Sequence, residues 1–284
     1  MNSAPSVPMI GLTASGKTTY LAALWHVLQE GDVPGALKLD RFAGDDQYIH
    51  ALHAAWLEGK QLARTNIGPI EHVALYLKST DGGELSLTVP DPSGELFGHA
   101  VAEREWPLEF DEFVSSAKGV LLFIHPEGVS TPHLISEVDI GDDIESIEDP
   151  SEGDPIAWDS TMIPTQAALV EMLQFLHFRS GECERASIVI SAWDLVTAIF
   201  PDITPDEWLA ENLPLLHQYL DAQGDYALST CFGISAQGGR IPEDTAQLVA
   251  VPRPSERLMV VGEYPIDRHD ITAPLRWLMG QIDG

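Results

Sequence analysis

Basic residues are scarce in this chain. It carries 15 Lys and Arg against 44 Asp and Glu over 284 residues, a formal net charge of -29. Such a surface repels phosphodiester backbones and anionic bilayers, which excludes binding to nucleic acid or to a membrane surface as the main task. It suits a solvated surface, high salt or a basic partner. Cysteine is nearly absent: only Cys183 and Cys231 occur, outside any C-x-x-C pattern, so zinc and dithiol motifs are missing. A reduced cytosolic pair is the default for them, with a disulfide left open. No apolar run approaches the roughly 18 residues of a membrane helix, so no membrane insertion is expected. The first motif starts at Gly11, which leaves little room for a cleavable leader ahead of the fold. The expectation is a cytoplasmic protein. No Gly-x-Ser-x-Gly nucleophile elbow is present. His50 and His53 share a helix face without a third ligand nearby in sequence, so no metal cluster is expected there.

What is present alternates strands with helices. The segment "SVPMIGL" reads as a buried strand, followed by a helix in "GKTTYLAALWHVLQEG". Leu21, Leu24, Trp25 and Leu28 recur at the spacing of one helix face, and Gly31 and Pro34 end it. A second helix over "DDQYIHALHAAWLEGKQLA" stops near Gly59. The strands "HVALYLKS" and "GELSLTVPD" flank Asp81-Gly82-Gly83, a tight-turn signal that makes them an antiparallel hairpin. Further strands are "GVLLFIHP", "ASIVISAWD" and "YALSTCFGISA". Helices are expected over "TMIPTQAALVEMLQFLHFRSG", over "TPDEWLAENLPLLHQYLDAQG" with Thr204 as N-cap, and over "APLRWLMGQI". "RLMVVGEYP" is a strand or a folded loop. The pattern implies an α/β fold in three layers, a mostly parallel sheet with one antiparallel hairpin strand and helices on both faces. A single domain over residues 1–284 is expected, with an acidic insertion at about 128–160 that holds no Lys or Arg.

In such sheets ligands bind at the carboxyl ends of the strands. "GLTASGKT" fits G-x-x-x-x-G-K-[ST] between a strand and a helix, the context that marks a phosphate-binding loop. Gly11, Thr13, Ala14, Ser15, Gly16, Lys17, Thr18 and Thr19 form the candidate cradle. Backbone N–H groups and the helix start attract anionic oxygen, Lys17 serves the outer phosphates, and the Thr18 hydroxyl is placed for Mg²⁺. "VPDPSGELF" ends a strand in Asp91, three residues before Gly94. Asp91 can hold Mg²⁺ through water and the Gly94 N–H can bond a third phosphate. Glu95 is a candidate to orient the attacking water. Thr65 lies where a switch threonine would close over Mg²⁺, and Arg64 beside it is a candidate cis arginine finger. Further on, Ser191-Ala192-Trp193-Asp194 ends a strand in an acid able to accept two hydrogen bonds from guanine, while Trp193 reads as core. Ser235-Ala236 follows one helix and one strand later, as a loop that offers a backbone N–H to the base. His99 and His125 lie near the edge of this site.

Taken together, these motifs resemble the Ras-like branch of translation-factor-related P-loop GTPases. "GLTASGKTTYLAALWHVL", "AWLEGKQLART", "VPDPSGELF" and "VISAWD" look like the bacterial double-GTPase family, in its second type. The resemblance implies a GTP-binding switch that hydrolyses GTP to GDP with Mg²⁺, slowly without a partner, and works beside a protein that can be a second GTPase in signalling or conflict systems. Ser191-Ala192 departs from the usual Asn-Lys, and Glu95 from the usual Gln. Two alternatives stay open on the residues alone: an ATPase or nucleotide kinase that uses the same loop, and a nucleotide-binding scaffold without hydrolysis.

Overall fold

The computed structural model describes residues 5–62, 73–89, 100–101, 103–105, 114–131, 163–180, 183–223 and 228–282. Eight strands form one sheet: β1 (Ser6–Gly11), β2 (Lys38–Ala43), β3 (Val73–Lys78), β4 (Glu84–Val89), β5 (Gly119–Ile124), β6 (Arg185–Ser191), β7 (Leu228–Ser235) and β8 (Met259–Val261). Their spatial order is β2-β3-β4-β1-β5-β6-β7-β8. The central run β4-β1-β5-β6-β7 is parallel, and the pairs β2-β3, β3-β4 and β7-β8 are antiparallel. The fold is thus the expected three-layer α/β sheet.

The described helices are α1 (Lys17–Glu30), α2 (Asp46–Leu57), α3 (Thr165–Ser180), α4 (Trp193–Thr197), α5 (Pro205–Asn212), α6 (Pro214–Ala222), α7 (Thr245–Ala250) and α8 (Ala273–Leu278). The apolar runs split between two faces of the sheet. Met9, Leu121, Phe123 and Val189 pack with α1, α2 and α8. Ile10, Leu122, Ile188 and Ile190 pack with α3, α5 and α6. Burial on both faces is why these strands read as continuous apolar runs rather than alternating ones.

Local chemistry sets the ends of these elements. Gly31 closes α1 in a left-handed conformation with its N–H on Val27 O. The turn at Asp81-Gly82-Gly83 closes the β3–β4 hairpin, with the Ser79 N–H donating to Gly83 O at 3.0 Å. Asp45 caps α2 through the Gln47 N–H, and Thr204 and Glu207 form a capping box on α5. Two elements differ from expectation. The helix expected across residues 204–224 is broken at Pro214 into α5 and α6, because proline lacks the N–H that would continue the ladder. Strand β2 extends the sheet at one edge, where "KLDRFA" is mostly exposed and carries no apolar alternation to announce it. It is held by its ladder to β3, by the Lys78–Asp40 ion pair and by Arg41 over the Tyr76 ring at 3.9 Å. "RLMVVGEYP" resolves as strand β8 with a turn after it.

The C-terminal helix is locked to the front of the chain. Fully buried Asp270 accepts from Thr272 N–H at 3.0 Å and from Arg276 Nη1 at 2.8 Å. Thr272 Oγ1 accepts from the Leu37 N–H, and Tyr20 Oη donates to Ile271 O. A buried carboxylate this fully bonded avoids the cost of an unpaired charge. Cys183 and Cys231 are both buried, and no disulfide joins them. Among the described residues, no helix is long and apolar enough to cross a membrane.

Candidate functional site

Three loops meet at the carboxyl edge of the parallel strands. The first joins β1 to α1. Lys17 Nζ donates to Gly11 O (2.8 Å), Leu12 O (2.8 Å) and Ser15 Oγ (2.9 Å), so the ammonium sits over the loop it follows. Burial pushes its pKa down to about 7. Such a cation gains from any anion that reaches it. Ala14 and Gly16 both have positive φ, which curls the backbone into a concave turn ahead of α1. Gly16 is required twice over. Its φ of 94° is strained for a side chain, and a Cβ there would lie 2.7 Å from Ser191 Cβ and Oγ. Thr18, in the first turn of α1, makes no hydrogen bond to another described residue through its hydroxyl.

Ser191 belongs to the second loop, at the end of β6. Its Oγ donates to Ile124 O at 3.2 Å. Gly16, without a Cβ, lies against the Ser191 side chain, so the loops after β1 and β6 are in contact. Ala192 then takes φ 47° and starts α4. Trp193 is fully buried, which places it in the core, and its Nε1 lacks a partner among the described residues. Asp194 follows at the half-exposed first turn.

The third loop follows β7. Ser235 Oγ donates to Asp194 Oδ1 at 2.5 Å and accepts from the Gly238 N–H at 3.1 Å. The sequence signal that paired Asp194 with Ser235-Ala236 thus corresponds to a direct bond. Gly233, within β7, leaves room for the Trp193 indole: a Cβ there would lie 2.3 Å from Trp193 Cδ2. Gly233→Ala is therefore expected to displace Trp193 and lower stability by about 1–3 kcal/mol or more, as overpacking does. Urea denaturation of the purified variant measures this, and an unchanged midpoint contradicts the packing described.

The rim of this side is polar. His125, after β5, accepts the Glu127 N–H through Nδ1 at 3.2 Å. Burial lowers its pKa, partly opposed by Glu127 and Asp194. Arg240 Nη2 pairs with Glu127 Oε1 at 2.7 Å and ties the third loop to the turn after β5. Nothing in the sequence marked Arg240, because its partner lies 113 residues away. His53 pairs with His26, with 3.0 Å between Nε2 and Nδ1.

Gly11, Thr13, Ala14, Ser15, Gly16, Lys17, Thr18 and Thr19 thus form one loop and helix start, and Gly16 touches the strand end that leads to Asp194. Ser235 bonds Asp194, with Ala236 next to it. Thr65, Arg64, Asp91, Gly94, Glu95, His99 and most of the acidic insertion lie outside the described residues.

A model of the family described as Double-GTPase 1 matches residues 8–278. The motifs look like the second type of double GTPase; the type that matches is the first. No curated protein matches the chain. Among solved structures it is similar to a chain of the signal recognition particle receptor SRb-GTP/SRX complex from Chaetomium thermophilum, at 13% identity and TM-score 0.41, over 87% of this chain and 96% of that one. It is also similar to the S. cerevisiae Ski7 GTPase-like domain, bound to GTP, at 10% identity and TM-score 0.40, over 83% of this chain and 43% of that one.

Proposed function

The chain belongs to the Double-GTPase 1 family, and from that premise we propose that it is a Mg²⁺-dependent GTP switch in the cytoplasm. One Ras-like domain spanning 1–284, with the acidic insertion at about 128–160, would carry it. The observation that supports this most is the joining of three loops: Gly16 packs on Ser191, and Asp194 accepts from Ser235. A phosphate cradle and a base reader are then held at a fixed separation, as one nucleotide requires.

In this reading the β- and γ-phosphates lie over Gly11–Thr18. Lys17 turns from the loop carbonyls to the phosphate oxygens, which restore its charge. Asp194 accepts the guanine N1 and N2 protons, and Ala236 offers its N–H to the base oxygen. The free Thr18 hydroxyl suits Mg²⁺, a hard cation that takes oxygen ligands. Thr65 and Asp91 would complete its protein ligands. Mg²⁺, when bound, neutralises charge developing on the phosphate oxygens. Gly94 senses the third phosphate, Glu95 orients the water, and Arg64 offers a finger in cis. Loss of the third phosphate would release the segments around Thr65 and Gly94. Intrinsic turnover of such a site is slow, about 10⁻⁴ s⁻¹ in the unassisted case. A protein partner, which can be a second GTPase, would accelerate it.

Single-turnover conversion of bound GTP tests the hydrolytic part. Slow GDP formation that stops with EDTA is the expected result. Tight GTP binding with no turnover, alone or with the partner, would leave a scaffold in place of an enzyme.

A further inference from the structure

Trp56 is tied to the base side of the site from a distance. It lies near the end of α2 and is fully buried. Its Nε1 donates to Ala236 O at 2.8 Å across 180 residues of chain. This bond is not a by-product of burying an indole. Trp25 and Trp193 are buried too, and their Nε1 atoms have no partner among the described residues. Trp56 is itself held still. The His26 ring lies 5.1 Å from its centroid, and the Arg257 guanidinium lies 5.3 Å from it on the ring face. Arg257 also donates to Trp56 O and Leu57 O at 3.3–3.4 Å, and so closes the end of α2.

Residues 236–239 form bends with no ladder of their own. Two bonds fix the start of this loop from inside the base motif, those of Ser235 Oγ with Asp194 and with the Gly238 N–H. Both act on the residue before Ala236 or two residues after it. The Trp56 bond fixes the carbonyl of Ala236 itself. With Ser235 pinned on one side and the Ala236 carbonyl on the other, the orientation of the Ala236 N–H is set.

We propose that Trp56 is a positioning residue for base selection, which holds Ala236 so that its N–H meets the O6 of guanine. The proposal rests on the nucleotide reading given above. Trp56 touches no part of the nucleotide in this account. Its α2 helix thereby becomes part of the specificity apparatus, although it stands outside the motifs that read the base.

The test replaces Trp56 with 3-benzothienylalanine, which keeps the fused ring and lacks the N–H, with Trp56→Phe as a second variant. Affinities are measured for three diphosphates: GDP, inosine diphosphate without the N2 amine, and 2-aminopurine riboside diphosphate, which lacks O6 and with it the N1 proton. The proposal predicts that both ligands with O6 weaken by about ten-fold, the scale of one lost hydrogen bond, while the 2-aminopurine nucleotide is unchanged. Equal weakening of all three would mean general damage to the fold and overturn the positioning role. An unchanged preference for GDP over the 2-aminopurine nucleotide in a folded variant would overturn it as well. Equal binding of those two by the unmodified protein would instead sink the nucleotide reading beneath it.

Discussion

Lys17→Ala is expected to cut GTP affinity by at least about a hundred-fold, or about 2.7 kcal/mol, while the free protein stays folded. The amine is desolvated, with a pKa of about 7, and among the described residues it is bonded only to the neutral oxygens of Gly11, Leu12 and Ser15. Phosphates replace those acceptors with charged ones, and charge-assisted bonds are roughly twice as strong. Loss of the side chain leaves carbonyls at the site edge that water can satisfy, so the fold loses little. The same residue predicts a pH signature. Below pH 7 the free lysine is already protonated, and its binding takes up no proton. Above pH 7 the free amine is neutral while the bound one is charged, so binding takes up a proton and weakens as pH rises. Calorimetry in buffers of different ionisation enthalpy reads this uptake directly. Unchanged GTP affinity in Lys17→Ala would remove the loop from its role.

Asp194→Asn is expected to exchange the preferred base. In the proposed role the carboxylate presents two acceptors to the N1 and N2 protons of guanine. An amide presents one acceptor and one donor, which matches xanthine, where a carbonyl replaces the amine. GTP should weaken by about 10²–10⁴, since a site built for hydrogen bonds rejects a ligand that leaves them unpaired. Xanthosine triphosphate should gain by a comparable factor. The Ser235 hydroxyl can still donate to the amide oxygen at residue 194, so the loop geometry survives the change. Parallel titrations with both nucleotides measure the exchange. Equal loss for both would show that Asp194 supports the loop and does not read the base.

The parts legible in the sequence are those where neighbouring residues carry the physics. Gly16 and Lys17 follow a buried strand and open a helix, so the loop was evident from its own pattern. The β3–β4 hairpin followed from Asp81-Gly82-Gly83 for the same reason. Strand β2 was not legible, because an edge strand with exposed side chains carries no apolar period. The break at Pro214 was hidden by a stripe that runs straight through it: Leu209, Leu213, Leu216 and Leu220 are all buried at helical spacing. The contacts that assemble the site, Gly16 on Ser191 and Trp56 on Ala236, join residues 175 and 180 positions apart, and no local pattern announces them. Ser191 departs from the motif, and in the fold Gly16, without a Cβ, packs against its side chain.

Competition between GTP and ATP for the unmodified protein, with Mg²⁺ present, tests the central claim most directly. The account predicts that ATP displaces bound GTP only at concentrations about a hundred-fold or more above it, because adenine lacks the proton pair that Asp194 would accept in the proposed role. Displacement at equal concentrations, or preference for ATP, would contradict it.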